Sequence, residues 1–253
     1  MRREVVDERV LVVTIDRPEA RNAFTAGMAL QMESIVDDFE ADDDLWLLLI
    51  TGAGPTFCAG QDLKEAAAGT YAWGKTRGGF GILERPPLKP VIVAVEGHAF
   101  AGGFELALCA DLIVATTVTQ FALSEVKRGL IAAGGGLMRL PRRLPYHLAM
   151  EIALTGEPQT AQAMQAHGIV SRLAEPGKAF DVALELASLV LANGPMAVAA
   201  SKDLIARGAG EQWSEAEGWS ALAPAFARVR ASDDCREGLA AFAEKRAPVW
   251  RNR

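Results

Sequence analysis

Two glutamates stand in apolar stretches of the sequence, where a carboxylate is costly unless it is solvated, paired or used in chemistry. Glu105 closely follows Gly102-Gly103 and is flanked by apolar residues, and Glu125 ends the stretch FALSE at residues 121–125. Two carboxylates beside one carbonyl group could share the proton transfers of hydration. One would hold and activate water, and the other would move a proton at the carbon next to the carbonyl. Glu105 and Glu125 are therefore candidate acid–base residues.

Each glutamate also has a purely structural interpretation. Glu105 lies where a helix is predicted to begin, so its charge could simply interact with the helix dipole. Glu125 precedes Lys127 and Arg128 and could form an ordinary salt bridge with either of them. The residue pattern alone leaves both interpretations open.

Two loops rich in small residues share one design, in which a strand leads through small residues into a helix. Ala59-Gly60 precedes Gln61 in one loop, and Gly102-Gly103 precedes Phe104 in the other. Glycine permits the sharp turn, and unpaired N–H groups gather where a helix begins. Two such loops facing each other could give two N–H donors to one oxygen, which would stabilise the oxyanion that forms when a thioester becomes an enolate.

The same glycines could instead only make tight strand-to-helix turns, since a lone Gly-Gly pair is a weak signal. A dinucleotide or nucleotide phosphate cradle is not expected. The sequence contains neither a G-x-G-x-x-G fingerprint nor a G-x-x-x-x-G-K-[ST] loop.

The elements that must position these residues are predicted from hydrophobic patterning. Short apolar runs at residues 10–15, 45–51, 91–95 and 112–115 are typical of strands buried on both faces. Apolar spacing predicts an amphipathic helix over residues 26–40, with Thr25 as its N-cap. Alternation of strands and helices indicates an α/β fold with parallel pairing. Beyond about residue 145, helical patterns dominate at residues 146–154, 160–166, 178–193, 195–207, 211–230 and 233–246, with one short strand at 169–173.

Composition narrows the class of protein. The 253 residues carry a formal net charge of −6, with 26 basic and 32 acidic residues mixed along the chain, so neither nucleic acid nor a membrane is an expected partner. The three cysteines and three histidines show no disulfide framework and no metal-ligand spacing, so no metal is expected. The first twenty residues lack the apolar segment of a secretion signal. We therefore expect a cytoplasmic location.

Six stretches together carry a family resemblance. They are RPEARNAF (17–24), FCAGQDLKE (57–65), VIVAVEGHAFAGGFELA (91–107), ADLIVA (110–115), FALSE (121–125) and EGLAAFAEKRAP (237–248). In this order, and over nearly the whole chain, they resemble the crotonase, or enoyl-CoA hydratase/isomerase, superfamily. The resemblance implies a ββα spiral catalytic core, placed at residues 1–195, and a C-terminal helical region, at 196–253, that builds homotrimers or hexamers made as dimers of trimers.

The resemblance also implies roles for particular residues. The backbone N–H groups of Gln61 and Gly102 would form the oxyanion hole. Substrate binding would involve the loop Gln61, Asp62, Leu63 and Lys64 together with Gly102, and Lys245 would meet a phosphate of coenzyme A. Residues 66–88 correspond to the variable wall of the acyl pocket, where Tyr71, Trp73 and Phe80 indicate an aromatic lining. Coenzyme A would enter as part of the substrate, and no permanently bound cofactor is expected.

The presence of both glutamates favours an enoyl-CoA hydratase, a hydro-lyase that adds water reversibly to a 2-trans-enoyl-CoA. In that interpretation Glu105 orients the water and Glu125 exchanges a proton at the α-carbon. The loop after Glu125, with Gly134-Gly135-Gly136, departs from the pattern of many hydratases, and the stretch GLMRLPRRLP resembles carnitinyl-CoA dehydratase-like members. The alternatives are therefore such a dehydratase, an enoyl-CoA isomerase, or a CoA-binding homologue without efficient turnover.

Overall fold

Two sheets of unequal size organise the chain in the computed structural model, which describes all 253 residues. The strands are β1 (Arg2–Val6), β2 (Val10–Ile15), β3 (Leu47–Gly52), β4 (Val91–Val95), β5 (His98–Phe100), β6 (Leu112–Thr116), β7 (Gln120–Ala122), β8 (Gln159–Thr160) and β9 (Arg172–Ala174). The helices are α1 (Ala26–Ala41), α2 (Leu63–Ala67), α3 (Gly102–Cys109), α4 (Gly136–Arg139), α5 (Tyr146–Thr155), α6 (Ala161–Ala166), α7 (Ala179–Leu191), α8 (Pro195–Glu211), α9 (Glu215–Arg230) and α10 (Asp233–Glu244).

The larger sheet has the strand order β1-β2-β3-β4-β6-β9. Every neighbouring pair in it is parallel except β1 and β2. The residues of β4 are all buried, which explains why its sequence is a continuous apolar run rather than an alternating one. The predicted strands at 10–15 and 91–95 have the bounds of β2 and β4, and the predicted parallel pairing is confirmed.

Apolar side chains cover both faces of this sheet. On one face α1 contributes Met32, Val36 and Phe39 to a core cluster of 42 buried residues. On the other face α7 contributes to a second cluster of 12 buried residues. The predicted cap of α1 is confirmed, because the Thr25 side chain accepts a hydrogen bond from the Met28 N–H at 3.2 Å. The sheet is therefore a rigid platform that is packed from both sides.

The smaller sheet brings the two candidate glutamates together. It has the order β5-β7-β8, and β5 pairs with β7 in parallel, with Phe100 opposite Ala122. The carboxyl ends of parallel strands lie at the same edge of a sheet. Because α3 starts two residues after β5, and the 3-10 turn Glu125–Arg128 starts three residues after β7, Glu105 and Glu125 emerge from that one edge.

This smaller sheet and β1 were not predicted. Strands of two or three residues are too short to show a periodicity, and β1 has the largely exposed sequence RREVV. The strand predicted at 169–173 was placed too early. The N–H groups of Ile169 and Val170 donate to the Met164 carbonyl in the turn that closes α6, so pairing begins only at Arg172.

The helical character predicted after residue 145 is confirmed, with ends displaced by a few residues. Ser232 caps α10 by accepting from the Cys235 N–H at 3.0 Å, and Gly194-Pro195 separates α7 from α8. No single helix is long and apolar enough to cross a membrane. The pair α7 and α8 reaches that length and composition only when taken together, with a bend of 106° between them.

Candidate active site

The two small-residue loops lie directly against each other. Gly60 has φ +98°, a conformation that disfavours residues with a side chain, and a Cβ placed on it would lie 3.1 Å from the Gly102 nitrogen. Gly103 is equally constrained, because a Cβ there would lie 2.1 Å from the carbonyl oxygen of Cys58. Glycine at these positions is therefore required for the loops to approach each other, and the interpretation as independent tight turns is insufficient.

Two backbone N–H groups are free where these loops meet. Neither Gln61 nor Gly102 donates among the backbone hydrogen bonds of the loops, turns and helix caps, and Gly102 is the first residue of α3. The preceding Ala101 has φ +52° and ψ −128°. A non-glycine residue in such a region stores on the order of 1–3 kcal/mol of strain, and strain of this kind concentrates at functional sites. Both N–H groups are therefore available to an oxygen placed between the loops.

Glu105 is buried in the first turn of α3, with 4% of its surface exposed. Burial raises the pKa of this carboxyl, while hydrogen bonding from backbone N–H groups and the positive charge of Arg139 act in the opposite direction. Its Oε1 accepts from the Gly136 N–H at 2.9 Å. The helix-dipole interpretation accounts for its place in the first turn, but the group that holds the carboxylate comes from a different segment.

Glu125 has no salt-bridge partner. Lys127 pairs with Glu157 at 2.9 Å, and Arg128 donates to the Lys127 carbonyl, so the salt-bridge interpretation of Glu125 is wrong. The pKa of Glu125 is raised to about 7, chiefly by burial and in addition by the nearby charge of Glu105. Its Oε2 is buried without a hydrogen-bond partner. A buried oxygen left unpaired is an expected feature of a group that acts on a substrate.

The loop of residues 134–136 completes the surroundings of Glu105. A Cβ on Gly134 would lie 2.6 Å from Glu105 Oε2, and one on Gly136 would lie 3.1 Å from Glu105 Oε1. Gly134 and Gly136 are therefore explained by the carboxylate that they enclose. The run of glycines is visible in the sequence, but no local pattern indicates that it contacts Glu105, 31 positions before Gly136.

Asp62, Leu63 and Lys64, three of the predicted coenzyme A residues, directly follow the proposed oxyanion donor Gln61. Asp62 is already engaged, since it caps α2 and accepts from Arg17 at 3.0 Å, which lowers its pKa. Leu63 and Lys64 are exposed on α2. The Gln61 side chain donates to the Thr70 carbonyl at 3.4 Å and so turns toward residues 66–88. Lys245 is exposed at the end of α10 and forms no ion pair.

The predicted aromatic wall is only partly inside the molecule. Phe80 is buried and stacks on Phe24 with ring centroids 4.2 Å apart, and a Cβ on Gly102 would lie 2.5 Å from its ring. Tyr71 and Trp73 are 59% and 42% exposed. Phe80 thus supports the oxyanion loop from below, while the other two aromatic side chains lie at the surface.

The wall is anchored to α1 by Glu33. Its carboxylate accepts from the backbone N–H groups of Lys75, Thr76 and Arg77 at 2.6–2.8 Å. Burial by itself would raise the pKa of Glu33, but these hydrogen bonds outweigh it and lower the pKa to about 2. The part of the wall that begins at residue 75 is therefore fixed to the core. No group of three or more His, Cys, Asp or Glu side chains is arranged to hold a metal ion.

The sequence is similar to a known family and to curated proteins over nearly its whole length. The family model described as enoyl-CoA hydratase/isomerase matches residues 6–253. Among curated proteins, the chain is 41% identical to the carnitinyl-CoA dehydratase of Proteus mirabilis (strain HI4320), over 96% of this chain and 95% of that protein. It is 42% identical to the carnitinyl-CoA dehydratase of Salmonella typhi, with the same two coverages.

Solved structures of similar proteins superpose on nearly the whole chain. An enoyl-CoA hydratase from Mycobacterium marinum superposes with a TM-score of 0.95 at 47% identity, covering 99% of this chain and 98% of that one. A carnitinyl-CoA hydratase from Mycobacterium avium superposes with a TM-score of 0.78 at 38% identity, with the same coverages. The similarity therefore extends over the whole fold, including both glycine loops and the C-terminal helices.

The raised pKa of Glu125 predicts a pH-dependent cost in stability. Because the folded-state pKa of about 7 lies above the ordinary value of 4.5, the fold favours the protonated carboxyl. The stabilisation of the folded state by the protonated Glu125 carboxyl is fully present below pH 4.5 and is lost as the pH rises through about 7. Relative to Glu125→Gln, the wild-type protein should become progressively less stable over this range. Denaturant unfolding of both proteins at several pH values measures the difference, and a constant difference across the range would contradict the assignment.

Proposed function

The chain belongs to the enoyl-CoA hydratase/isomerase family, and on this premise we propose that it catalyses the reversible addition of water to a 2-trans-enoyl-CoA. The predicted crotonase resemblance and α/β fold class are confirmed by the family match and by the solved structures. As a member of this family the chain is an enzyme of the hydro-lyase type. The observation that supports water addition is a pair of glutamates, Glu105 buried and Glu125 half-buried, beside two facing loops with free N–H groups. The pKa values of both carboxyls are raised.

The loops would stabilise the charge that develops on the substrate. The thioester carbonyl oxygen accepts from the N–H groups of Gln61 and Gly102, and both bonds strengthen as the oxygen becomes an enolate oxyanion. Removing one such donor typically costs about 3–4 kcal/mol of transition-state stabilisation. The strained backbone at Ala101 keeps the Gly102 N–H pointed at that position before substrate arrives.

The glutamates would divide the proton transfers. Glu105, held by the Gly136 N–H, orients the water and accepts its proton as the water oxygen attacks the β-carbon. Glu125 delivers a proton to the α-carbon, which returns the enolate to a thioester. Its pKa of about 7 suits a group that must both give and take a proton near neutral pH. Because each charge raises the cost of the other, the pair titrates as a coupled unit.

A second candidate is the dehydration of carnitinyl-CoA. It is favoured by the curated relatives of that name at 41–42% identity over nearly the full length of both chains. The chemistry at the thioester would be the same, with water lost rather than gained, and only the group beyond the β-carbon would differ. Double-bond isomerisation needs a single base, so the presence of two glutamates at the site disfavours it.

Binding of the coenzyme A portion is proposed for the exposed side of α2 together with Lys245. Leu63 and Lys64 are exposed next to the oxyanion donor Gln61, while Asp62 would shape the loop by capping α2 rather than by touching substrate. Lys245 has a free ammonium group for a phosphate. Coenzyme A would come and go with the substrate, without a permanently bound cofactor.

A homotrimer, or a hexamer formed from two trimers, is proposed from the terminal helices. They leave large apolar side chains in solvent, including Trp219 (63% exposed), Phe226 (61%), Leu239 (70%) and Phe242 (87%). No residue of α9 is buried within the chain. An apolar surface of this kind normally marks a protein interface. Light scattering should give three or six times the 27.0 kDa chain mass, and a monomer would contradict the proposal.

The reaction is tested by following loss of the enoyl absorbance of 2-enoyl-CoAs of increasing chain length, and loss of water from carnitinyl-CoA. We expect turnover of at least one of these thioesters. Glu105→Gln and Glu125→Gln should each lower kcat by about 10²- to 10⁴-fold, because each removes one proton-transfer group.

The exposed Glu185 supplies the matched control, and Glu185→Gln should retain wild-type kcat. Activity that survives in Glu105→Gln but disappears in Glu125→Gln would instead indicate an isomerase. Absence of turnover on every thioester by the folded wild-type protein would contradict the proposed function.

A further inference from the structure

Arg139, at the end of α4, joins two segments that both border the site. Its Nη1 donates to the Gly134 carbonyl at 3.0 Å, and its Nη2 donates to the Leu83 carbonyl. The first carbonyl belongs to the glycine loop over Glu105, and the second to the wall segment of residues 66–88. Arg139 forms no salt bridge, so its guanidinium is committed to these two backbone groups. The two terminal nitrogens of the planar guanidinium thus donate to two separate carbonyls in a fixed geometry.

The glycine loop that Arg139 holds is also the support of Glu105. Gly136 donates to Glu105 Oε1 at 2.9 Å, and a Cβ on Gly134 would collide with Glu105 Oε2. Gly135, between them, has φ +99°, and a Cβ on it would lie 2.4 Å from Arg139 Nη1. The guanidinium therefore packs onto one side of the loop while the carboxylate packs onto the other. A movement of the loop would move the Glu105 carboxylate with it.

We propose that Arg139 is a positioning residue for the water-handling carboxylate. By spanning the carbonyls of Gly134 and Leu83, it clamps the loop of residues 134–136 against Glu105 and fixes the direction in which that carboxylate faces. This role deepens the proposed function, on which it rests. Arg139 touches neither water nor thioester in this account and acts only through the loop.

The charges around Glu105 agree with this placement. Arg139, from α4, is the cationic group that lowers the pKa of Glu105 against the effect of burial, and Glu125, from the 3-10 turn after β7, is the anionic group coupled to it. The charge of the same guanidinium also lowers the pKa of the buried Cys109 thiol, against the larger effect of burial. Together with burial it lowers the pKa of Arg143, which donates to the Leu108 carbonyl near the end of α3. Loss of Arg139 should therefore raise the pKa of Glu105 as well as loosen its support.

Two substitutions and one control test the role. Arg139→Gln removes the charge and the fork, whereas Arg139→Lys keeps the charge but replaces the two donating nitrogens with one ammonium nitrogen, which cannot occupy both of their positions. Arg142 is an exposed neighbour on the same segment without a hydrogen bond or ion pair, so Arg142→Gln is the matched control. For each protein we would measure kcat and KM on the best thioester. The titration of Glu105 would be followed by infrared difference spectroscopy, with Glu105→Gln identifying its band.

Arg139→Gln should lower kcat roughly 10- to 100-fold with KM changed less than about 3-fold, since misplacing a reacting group by about 1 Å costs up to 10²-fold. Its Glu105 band should titrate at higher pH than in the wild type. Arg139→Lys should restore the titration of Glu105 but not the full kcat. Arg142→Gln should match the wild type in both measurements.

Wild-type kcat in Arg139→Gln or in Arg139→Lys would overturn the proposal, as would an unchanged Glu105 titration in Arg139→Gln. If Arg139→Gln does not fold, the kcat of Arg139→Lys is the test: a lowered kcat supports the proposal, and wild-type kcat contradicts it. If the wild-type protein turns over no thioester, the proposed function fails by itself. The titration of Glu105 in Arg139→Gln then still shows whether Arg139 controls this carboxyl.

Discussion

The site depends on holding two carboxylates with little access to water at one edge of a small sheet, where β5 and β7 run parallel. Pairing of β5 with β7 brings the segments that carry Glu105 and Glu125 to that edge. Burial then raises the pKa of both groups, and the charge of one adds to the cost of ionising the other. Such an arrangement is unfavourable for the fold by itself. It becomes useful when a substrate supplies the missing partner of the unpaired Glu125 Oε2.

Three separate glycine loops make this arrangement possible, each by removing a side chain that would collide. Gly60 lets the oxyanion loops meet, Gly102 leaves room for the ring of Phe80, Gly103 lets α3 approach Cys58, and residues 134–136 close over Glu105. The rigid parts around them then set the shape. The ring of Phe80 supports Gly102, and Glu33 ties the wall segment to α1 through three backbone N–H groups. Backbone groups provide most of the site, and side chains hold the backbone in place.

Hydrophobic patterning was sufficient to predict strands that are buried on both faces, such as β2 and β4. It was also sufficient to predict α1, which is buried along one side and capped by Thr25. The two glutamates and the first two glycine loops were also accessible, because a carboxylate in an apolar run and small residues before a helix are local signals. Contacts between distant segments could not be predicted from the sequence. The pairing of three-residue strands, the enclosure of Glu105 by residues 134–136, and the contact of Arg139 with the Leu83 carbonyl all join positions more than twenty residues apart. Tertiary packing alone creates them.

The central claim is that one thioester oxygen lies between the two glycine loops while both glutamates face the adjacent carbons. A crystal structure with a bound, unreactive acyl-CoA analogue tests it most directly. We expect the thioester oxygen at roughly 3 Å from both the Gln61 and Gly102 nitrogens, with the Glu105 and Glu125 carboxylates beside the β- and α-carbons. A thioester oxygen bound away from these two nitrogens, or a glutamate facing away from the acyl chain, would contradict the account.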